Sequence, residues 1–189
     1  LALGRNFDEE VFGREKRSFE PLTFSRSQTS PKTFELLVQE GRLQLYREGP
    51  MVDGQPSKQV VATLLVPPQA KQVLLLAFKA GADPAQYAVV ADNFKKGNAR
   101  DWLLIKAAPC GVTFQLGQNT KPVLIKPGAA VPHRVGFKLN QGALVRVMMH
   151  RDGDWRGAYS TAWAVKEDRR ALVVIVPYKD GVNVKRFYE

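Results

Sequence analysis

The sequence is poor in the residues that build most catalytic and metal sites. Its 189 residues include one cysteine, Cys110, and two histidines, His133 and His150. A single cysteine cannot form a disulfide within the chain, and structural zinc needs several cysteine and histidine ligands at close spacing. We therefore expect Cys110 to be a small buried thiol. The sequence predicts no metal site and no cofactor.

Catalytic motifs are missing as well. A nucleophilic site needs a nucleophile, a base and an orienting group, and neither histidine stands in a nucleophile-elbow motif. No glycine-rich phosphate loop is present, and no pair stands out among the 18 acidic residues. Asp152-Gly153-Asp154 comes closest to a calcium loop, but arginines flank it, so a hairpin turn is the better interpretation. We predict no catalytic residues and a protein that is not an enzyme.

Long apolar runs are also absent. The longest, Val73-Leu74-Leu75-Leu76-Ala77-Phe78, has the length of a strand, whereas a membrane-spanning helix needs about 18 apolar residues or more. The sequence therefore predicts no membrane-spanning segment. The chain begins at Leu1 without a methionine, which a removed signal peptide or a trimmed boundary would explain.

From Phe34 onward, short apolar or alternating runs are separated by Gly, Pro, Asn and Asp, which is typical of all-β proteins. Val112, Phe114 and Leu116 share one face of a strand, and the alternation of Val135, Phe137 and Leu139 predicts a second such strand. Strands with one buried and one wet face are typical of antiparallel sandwiches. The predicted strands are 34–39, 42–48, 59–66, 71–79, 86–92, 101–107, 111–116, 121–126, 134–140, 143–151, 154–165, 169–177 and 182–188.

This pattern predicts an all-β fold of two packed antiparallel sheets over residues 33–189. Residues 1–32 lack it, and we interpret them as an irregular N-terminal extension or linker. The sequence predicts two hairpin turns, because the Asp-Gly pairs Asp152-Gly153 and Asp180-Gly181 tolerate the positive φ angles of tight hairpins. We expect both pairs at turn positions and a four-strand meander from Ala143 to Tyr188.

Several phrases, taken in order, resemble a group of uncharacterised exported bacterial proteins interpreted as immunoglobulin-like β-sandwiches. The resemblance covers roughly residues 35–188 and implies export to the periplasm or the extracellular space, together with an immunoglobulin-like sandwich. It carries over no catalytic residues. The phrases are Arg42-Leu43-Gln44-Leu45-Tyr46-Arg47, Lys71 to Phe78, Gly111 to Gly117, Leu124 to Gly128, Tyr159-Ser160-Thr161-Ala162-Trp163 and Arg169 to Val176.

The formal net charge is +10, which is large for this length. Residues 1–32, 33–132 and 133–189 carry excesses of +1, +4 and +5, so the sequence predicts a generally basic surface that attracts polyanions. Solvated charges that keep a sandwich soluble and discourage pairing at its edges explain most of these residues.

Aromatic residues recur along the predicted strand 154–165. Strict alternation along 154–165 places Trp155, Tyr159 and Trp163 on one side of a strand, with Arg156 on the other. This side is either a platform on which sugars or bases stack or the core face of the strand. The candidate binding residues are these aromatics with nearby cations: Trp155, Tyr159, Trp163, Arg156, Arg169 and Arg170.

The leading functional hypothesis is a non-catalytic binding or structural module of the bacterial cell envelope or secreted fraction. Its basic surface would contact an anionic polymer or a partner protein. The alternatives are a nucleic-acid-binding β protein, which would ordinarily show a recognisable module, and an enzyme with an unrecognised site.

Overall fold

The computed structural model describes residues 2–3, 9–24, 33–79, 84–91, 100–136, 142–166 and 169–188. These residues form sixteen strands and no helix, which confirms the all-β prediction. None of the described residues belongs to a helix that could cross a membrane. The strands are β1 (Ala2–Leu3), β2 (Phe12–Glu15), β3 (Ser18–Pro21), β4 (Val38–Gln39), β5 (Arg42–Val52), β6 (Gln55–Leu65), β7 (Val73–Phe78), β8 (Gln86–Ala91), β9 (Asp101–Lys106), β10 (Gly111–Leu116), β11 (Val123–Ile125), β12 (Ala130–Arg134), β13 (Gly142–Arg151), β14 (Asp154–Ala164), β15 (Ala171–Tyr178) and β16 (Gly181–Tyr188).

The chain divides into two compact units, Leu1–Asp92 and Asn93–Glu189, which we term unit 1 and unit 2. The sequence predicted one domain over 33–189 in two sheets, whereas the described strands form four sheets, two in each unit. Each unit has a hydrophobic cluster of its own. Alternation within strands cannot locate this division, because both units use the same period-two pattern.

Unit 1 contains a five-stranded and a three-stranded sheet. In the larger sheet β3 pairs with β2, and β2, β4 and β6 all pair with β5. Because β6 follows one edge of β5 from Arg42 to Val52, β2 and β4 lie in succession along the other edge. The smaller sheet joins β8 and β1 to β7, with β1 parallel to it.

The N-terminal segment is more regular than the sequence indicated. Residues 12–21 form a hairpin whose turn includes Lys16 with a φ of 42°, and Phe12 pairs with Tyr46 of β5. The interpretation of 1–32 as irregular therefore fails for these residues. Each strand has only four residues, too few to show alternation, and a lysine rather than a glycine supplies the positive φ.

The β5–β6 hairpin is longer than predicted. Both strands have 11 residues, and Asp53 and Gly54 form the turn with φ of 51° and 79°. The predicted strands 42–48 and 59–66 leave out Gly49, Pro50 and Pro56, and glycine and proline weaken strand interiors. The structure accommodates them through irregular pairing between Glu48 and Met51.

Unit 2 contains two four-stranded sheets, in the orders β11-β10-β13-β14 and β12-β9-β15-β16. All pairs are antiparallel except β9 with β15. Side chains of both sheets belong to one core, to which Phe114 and Val147 come from the first sheet and Leu104 and Val173 from the second. Residues 171–176 are buried throughout, as expected for a central strand.

The turn predictions are partly correct. Asp152 and Gly153 have φ of 53° and 87°, as predicted. In the last hairpin Tyr178 pairs with Gly181, so the turn residues are Lys179 and Asp180, and Lys179 has the positive φ of 47°.

The predicted meander from Ala143 to Tyr188 is wrong, because β14 and β15 are in different sheets. Its two hairpins are therefore separate structural elements. Phe137 and Leu139, on which the strand prediction for 134–140 partly rested, lie outside the described residues.

Candidate anion-binding surface

The positive charge belongs to unit 2. Unit 1 carries 11 basic and 11 acidic residues, whereas unit 2 carries 17 basic and 7 acidic residues, which accounts for the whole net charge of +10. Division of the chain at residues 32 and 132 suggested that the positive charge is spread evenly along the sequence. The domain boundary corrects that interpretation, since unit 1 is formally neutral.

A β-bulge divides the aromatic stripe of β14. Val147 of β13 pairs with Tyr159, and Met148 pairs with Gly157, so Ala158 is an extra residue without a partner in β13. A bulge reverses which residues point to which face. Trp155 consequently lies on the opposite face of the sheet from Tyr159 and Trp163, although strict alternation places all three together.

Trp155 is on the outer face, where 46% of its surface is exposed. It pairs with His150, and their ring centres are 5.2 Å apart in an edge-to-face arrangement. Gly111 lies beneath them, and a Cβ atom at this position would be 3.2 Å from the His150 Cβ. This small group is separate from the cations described below.

Tyr159 and Trp163 belong to the core face. Trp163 is buried, and its ring centre lies 6.0 Å from those of Tyr159 and Trp102 and 6.1 Å from that of Phe114. Trp163 therefore serves packing, while half-buried Tyr159 contacts the edge of the core.

Arg186 joins this aromatic core to the surface. Its guanidinium carbon lies 4.7 Å from the centre of the Trp163 ring and 4.4 Å from that of Tyr188. Arg186 Nη1 and the Tyr188 hydroxyl both donate hydrogen bonds to the carbonyl oxygen of Ala164. Stacking and hydrogen bonding hold the guanidinium in place, because its planar fork suits both contacts. Burial lowers the pKa of Arg186.

Two further cations lie around Tyr188. Lys166 Nζ is 5.8 Å from the centre of its ring. Burial raises the pKa of Tyr188, and the charges of Arg186 and Arg169 partly oppose this increase. We define Lys166, Arg169, Arg186 and Tyr188 as the Tyr188 cluster. The acidic residues that adjoin it in sequence, Glu167, Asp168 and Glu189, lie outside the described residues.

The remaining predicted cations are elsewhere. Arg156 contacts Asp152 at 3.9 Å, and Arg151 donates a hydrogen bond of 2.8 Å to the carbonyl oxygen of Asp180. The Arg151 contact links the β13–β14 turn to the β15–β16 turn, and Arg156 takes part in an ion pair. Half-buried Arg170 directly precedes β15.

Two buried side-chain atoms of unit 2 have no hydrogen-bond partner among the described residues, Trp102 Nε1 and Lys106 Nζ. Lys106 is fully buried. Burial lowers its pKa, which nearby Cys110 slightly opposes. Cys110 is half-buried rather than buried, and half-buried His133 has a pKa lowered by burial. Within the described residues, no group of three His, Cys, Asp or Glu residues is arranged to hold a metal ion.

The structure thus brings Tyr159 and Trp163 together and separates Trp155 and Arg156 from them. The charge of Arg169 acts on Tyr188. Alternation within single strands did not predict Arg186 and Tyr188 as partners of Trp163. The sequence does contain a pattern that indicates these partners. Every second residue of β16 faces the core, and this series places a cation and an aromatic ring on the core-facing side: Val182, Val184, Arg186 and Tyr188.

In comparisons with known proteins, no family model matches the sequence, and no curated protein matches it.

Proposed function

We propose that this protein is a non-catalytic binding module that holds anionic polymers on the basic surface of unit 2. The observation that carries the proposal is the location of the entire charge excess in Asn93–Glu189. Within that unit Lys166 Nζ and the guanidinium carbon of Arg186 lie 5.8 Å and 4.4 Å from the centre of the Tyr188 ring, and the charge of Arg169 acts on Tyr188 as well. We further propose an exported, cell-envelope location, which rests on the resemblance given above.

We also infer that unit 2 is a β-sandwich of the immunoglobulin-like kind. Its two four-stranded sheets share one core, and Arg186 bridges from β16 of one sheet to Trp163 of the other. Arg186 and Tyr188 lie on β16, where the sheet fixes their spacing, whereas Lys166 and Arg169 lie in the connection between β14 and β15.

Electrostatic binding of this kind has a defined signature. Cations that contact a polyanion release its condensed counterions, so affinity falls steeply as salt rises. No recognition module accompanies the charge, and we therefore expect weak selectivity among polyanions of similar charge density. Affinity for heparin, duplex DNA and polyphosphate should fall together between about 50 and about 200 mM salt.

The test is a salt titration of the three polymers with the wild-type chain and two double variants. Lys166→Gln with Arg169→Gln removes two charges from the Tyr188 cluster, and Lys121→Gln with Lys126→Gln removes two exposed charges elsewhere in unit 2. The cluster variant should reduce the slope of log affinity against log salt by about two. The control variant should change it less.

Two results would contradict the proposal. One is the absence of binding to all three polymers at about 50 mM salt, which would make the charge a matter of solubility. The other is tight binding of DNA alone at about 200 mM salt, which would favour a nucleic-acid-binding protein.

A further inference from the structure

Unit 1 contains a cavity of about 550 Å³ on the face of its larger sheet opposite the core. Leu43 and Leu45 of β5 point into the core, so alternation places Arg42, Gln44 and Tyr46 on the other face. Arg14 of β2 lies on this same face, because Phe12 pairs with Tyr46. Ligand pockets usually have volumes of roughly 300–1,000 Å³.

The cavity occupies the place where β2 and β4 succeed each other along β5. A backbone hydrogen bond of 2.7 Å from the Leu37 amide to the Arg14 carbonyl oxygen joins the segment before β4 to β2. The lining side chains therefore come from three elements held in a fixed arrangement. They are Arg14, Leu37, Gln39, Glu40, Arg42, Gln44 and Tyr46.

The lining of the cavity combines cationic, anionic and amide side chains. Arg14 and Arg42 supply two guanidinium groups, whose planar forks match carboxylate and phosphate oxygens. Glu40 supplies one carboxylate, so the lining has a net charge of +1. The Tyr46 hydroxyl donates a hydrogen bond of 2.7 Å to Gln44 Oε1, which directs the amide of Gln44. Amide groups both donate and accept, as recognition of hydroxyl groups requires.

We propose that this cavity binds a small, singly charged carboxylate that carries hydroxyl groups, of the chemical class of the uronic acids. The ligand carboxylate lies against Arg14 and Arg42, and its hydroxyl groups donate to Glu40 and exchange hydrogen bonds with Gln39 and Gln44. A phosphomonoester is disfavoured, because its second negative charge exceeds the net charge of the lining and faces Glu40. All of the lining residues belong to unit 1.

Calorimetric titration of the full chain with galacturonate, galactose and galactose 1-phosphate tests the proposal. The variants are Arg42→Gln and Arg14→Gln, with Arg47→Gln as the matched control, since Arg47 is on β5 but on the opposite face. We expect saturable binding of galacturonate and at least about tenfold weaker binding of galactose, because a charge-assisted pair is lost. Each cavity variant should weaken galacturonate binding by about tenfold, and Arg47→Gln should leave it unchanged.

The proposal is overturned if galacturonate shows no saturable binding, if galactose binds as well, or if Arg47→Gln is as harmful as Arg42→Gln. Tighter binding of galactose 1-phosphate would overturn the assignment to carboxylates. Circular dichroism of each variant confirms that the fold is retained. Lys166→Gln with Arg169→Gln should bind galacturonate normally, so failure here and failure of the polymer-binding proposal remain distinguishable.

Discussion

The guanidinium carbon of Arg186 lies 4.7 Å from the centre of the Trp163 ring, where β16 of one sheet meets β14 of the other. This contact gives Arg186 a structural role in addition to its charge. It rests on a buried ring and donates to the Ala164 carbonyl oxygen, so it ties together the edges of both sheets of unit 2.

Replacing Arg186 by alanine should therefore lower the free energy of unfolding of unit 2 by about 1–3 kcal/mol, since both a stacked cation and a hydrogen bond are lost. Denaturant unfolding followed by tryptophan fluorescence measures this, because all three tryptophans, Trp102, Trp155 and Trp163, belong to unit 2. Lys185→Ala, one position earlier on the same strand, is the control and should have a smaller effect. Equal effects would show that the stacking contributes nothing.

Lys106 should destabilise the fold, and the effect should depend on pH. Burial lowers its pKa from the ordinary value of 10.5, so over the range between the two pKa values the unfolded chain binds a proton that the folded chain does not. The stability of the wild type therefore rises with pH across that range. Lys106→Met should be more stable by about 1 kcal/mol or more near neutral pH, because an unpartnered buried amine is removed.

The advantage of Lys106→Met should shrink as the pH rises through 10.5, because the amine of the unfolded chain then also loses its proton. Denaturant unfolding at a series of pH values gives this difference directly. The exposed residue Lys126 supplies the control, and Lys126→Met should leave the stability unchanged at every pH. Lower stability of Lys106→Met than of the wild type, or a stability difference that stays constant with pH, would contradict the conclusion that the buried amine of Lys106 destabilises the fold.

The Asp152-Gly153 turn should depend on its glycine. Gly153 has a φ of 87°, which side chains with a branched Cβ adopt poorly. Gly153→Val should lower stability by about 1 kcal/mol or more, as seen in thermal unfolding. Gly142→Val, at a strand position with open space and ordinary φ, should be tolerated, and equal losses would place the strain elsewhere.

Sequence reasoning worked where a strand has one buried and one exposed face. It placed Val112, Phe114 and Leu116 on a single face, and all three are buried. It failed at the bulge of Ala158, because a bulge depends on pairing with β13 and leaves no local mark in alternation. The binding residues were consequently grouped as a stripe of β14, although Trp155 faces away from Trp163.

The Tyr188 cluster could be anticipated only in part. Arg169 was a candidate because it is a basic residue at the start of the predicted strand 169–177. Arg186 and Tyr188 are distant from Trp163 in sequence, and only the packing of β16 beside β14 brings them together. The difference in net charge between the two units could not be predicted either, because it depends on the unit boundary at Asp92, which the structure supplies.

Hydrogen–deuterium exchange of the full chain, with and without polyphosphate at low salt, tests the central claim most directly. We predict slower exchange in peptides that cover Asp154–Ala164 and Gly181–Tyr188, and no change in β5 and β6. Protection in β5 and β6 alone, or protection nowhere despite measured binding, would contradict the assignment of polymer binding to the Tyr188 cluster of unit 2.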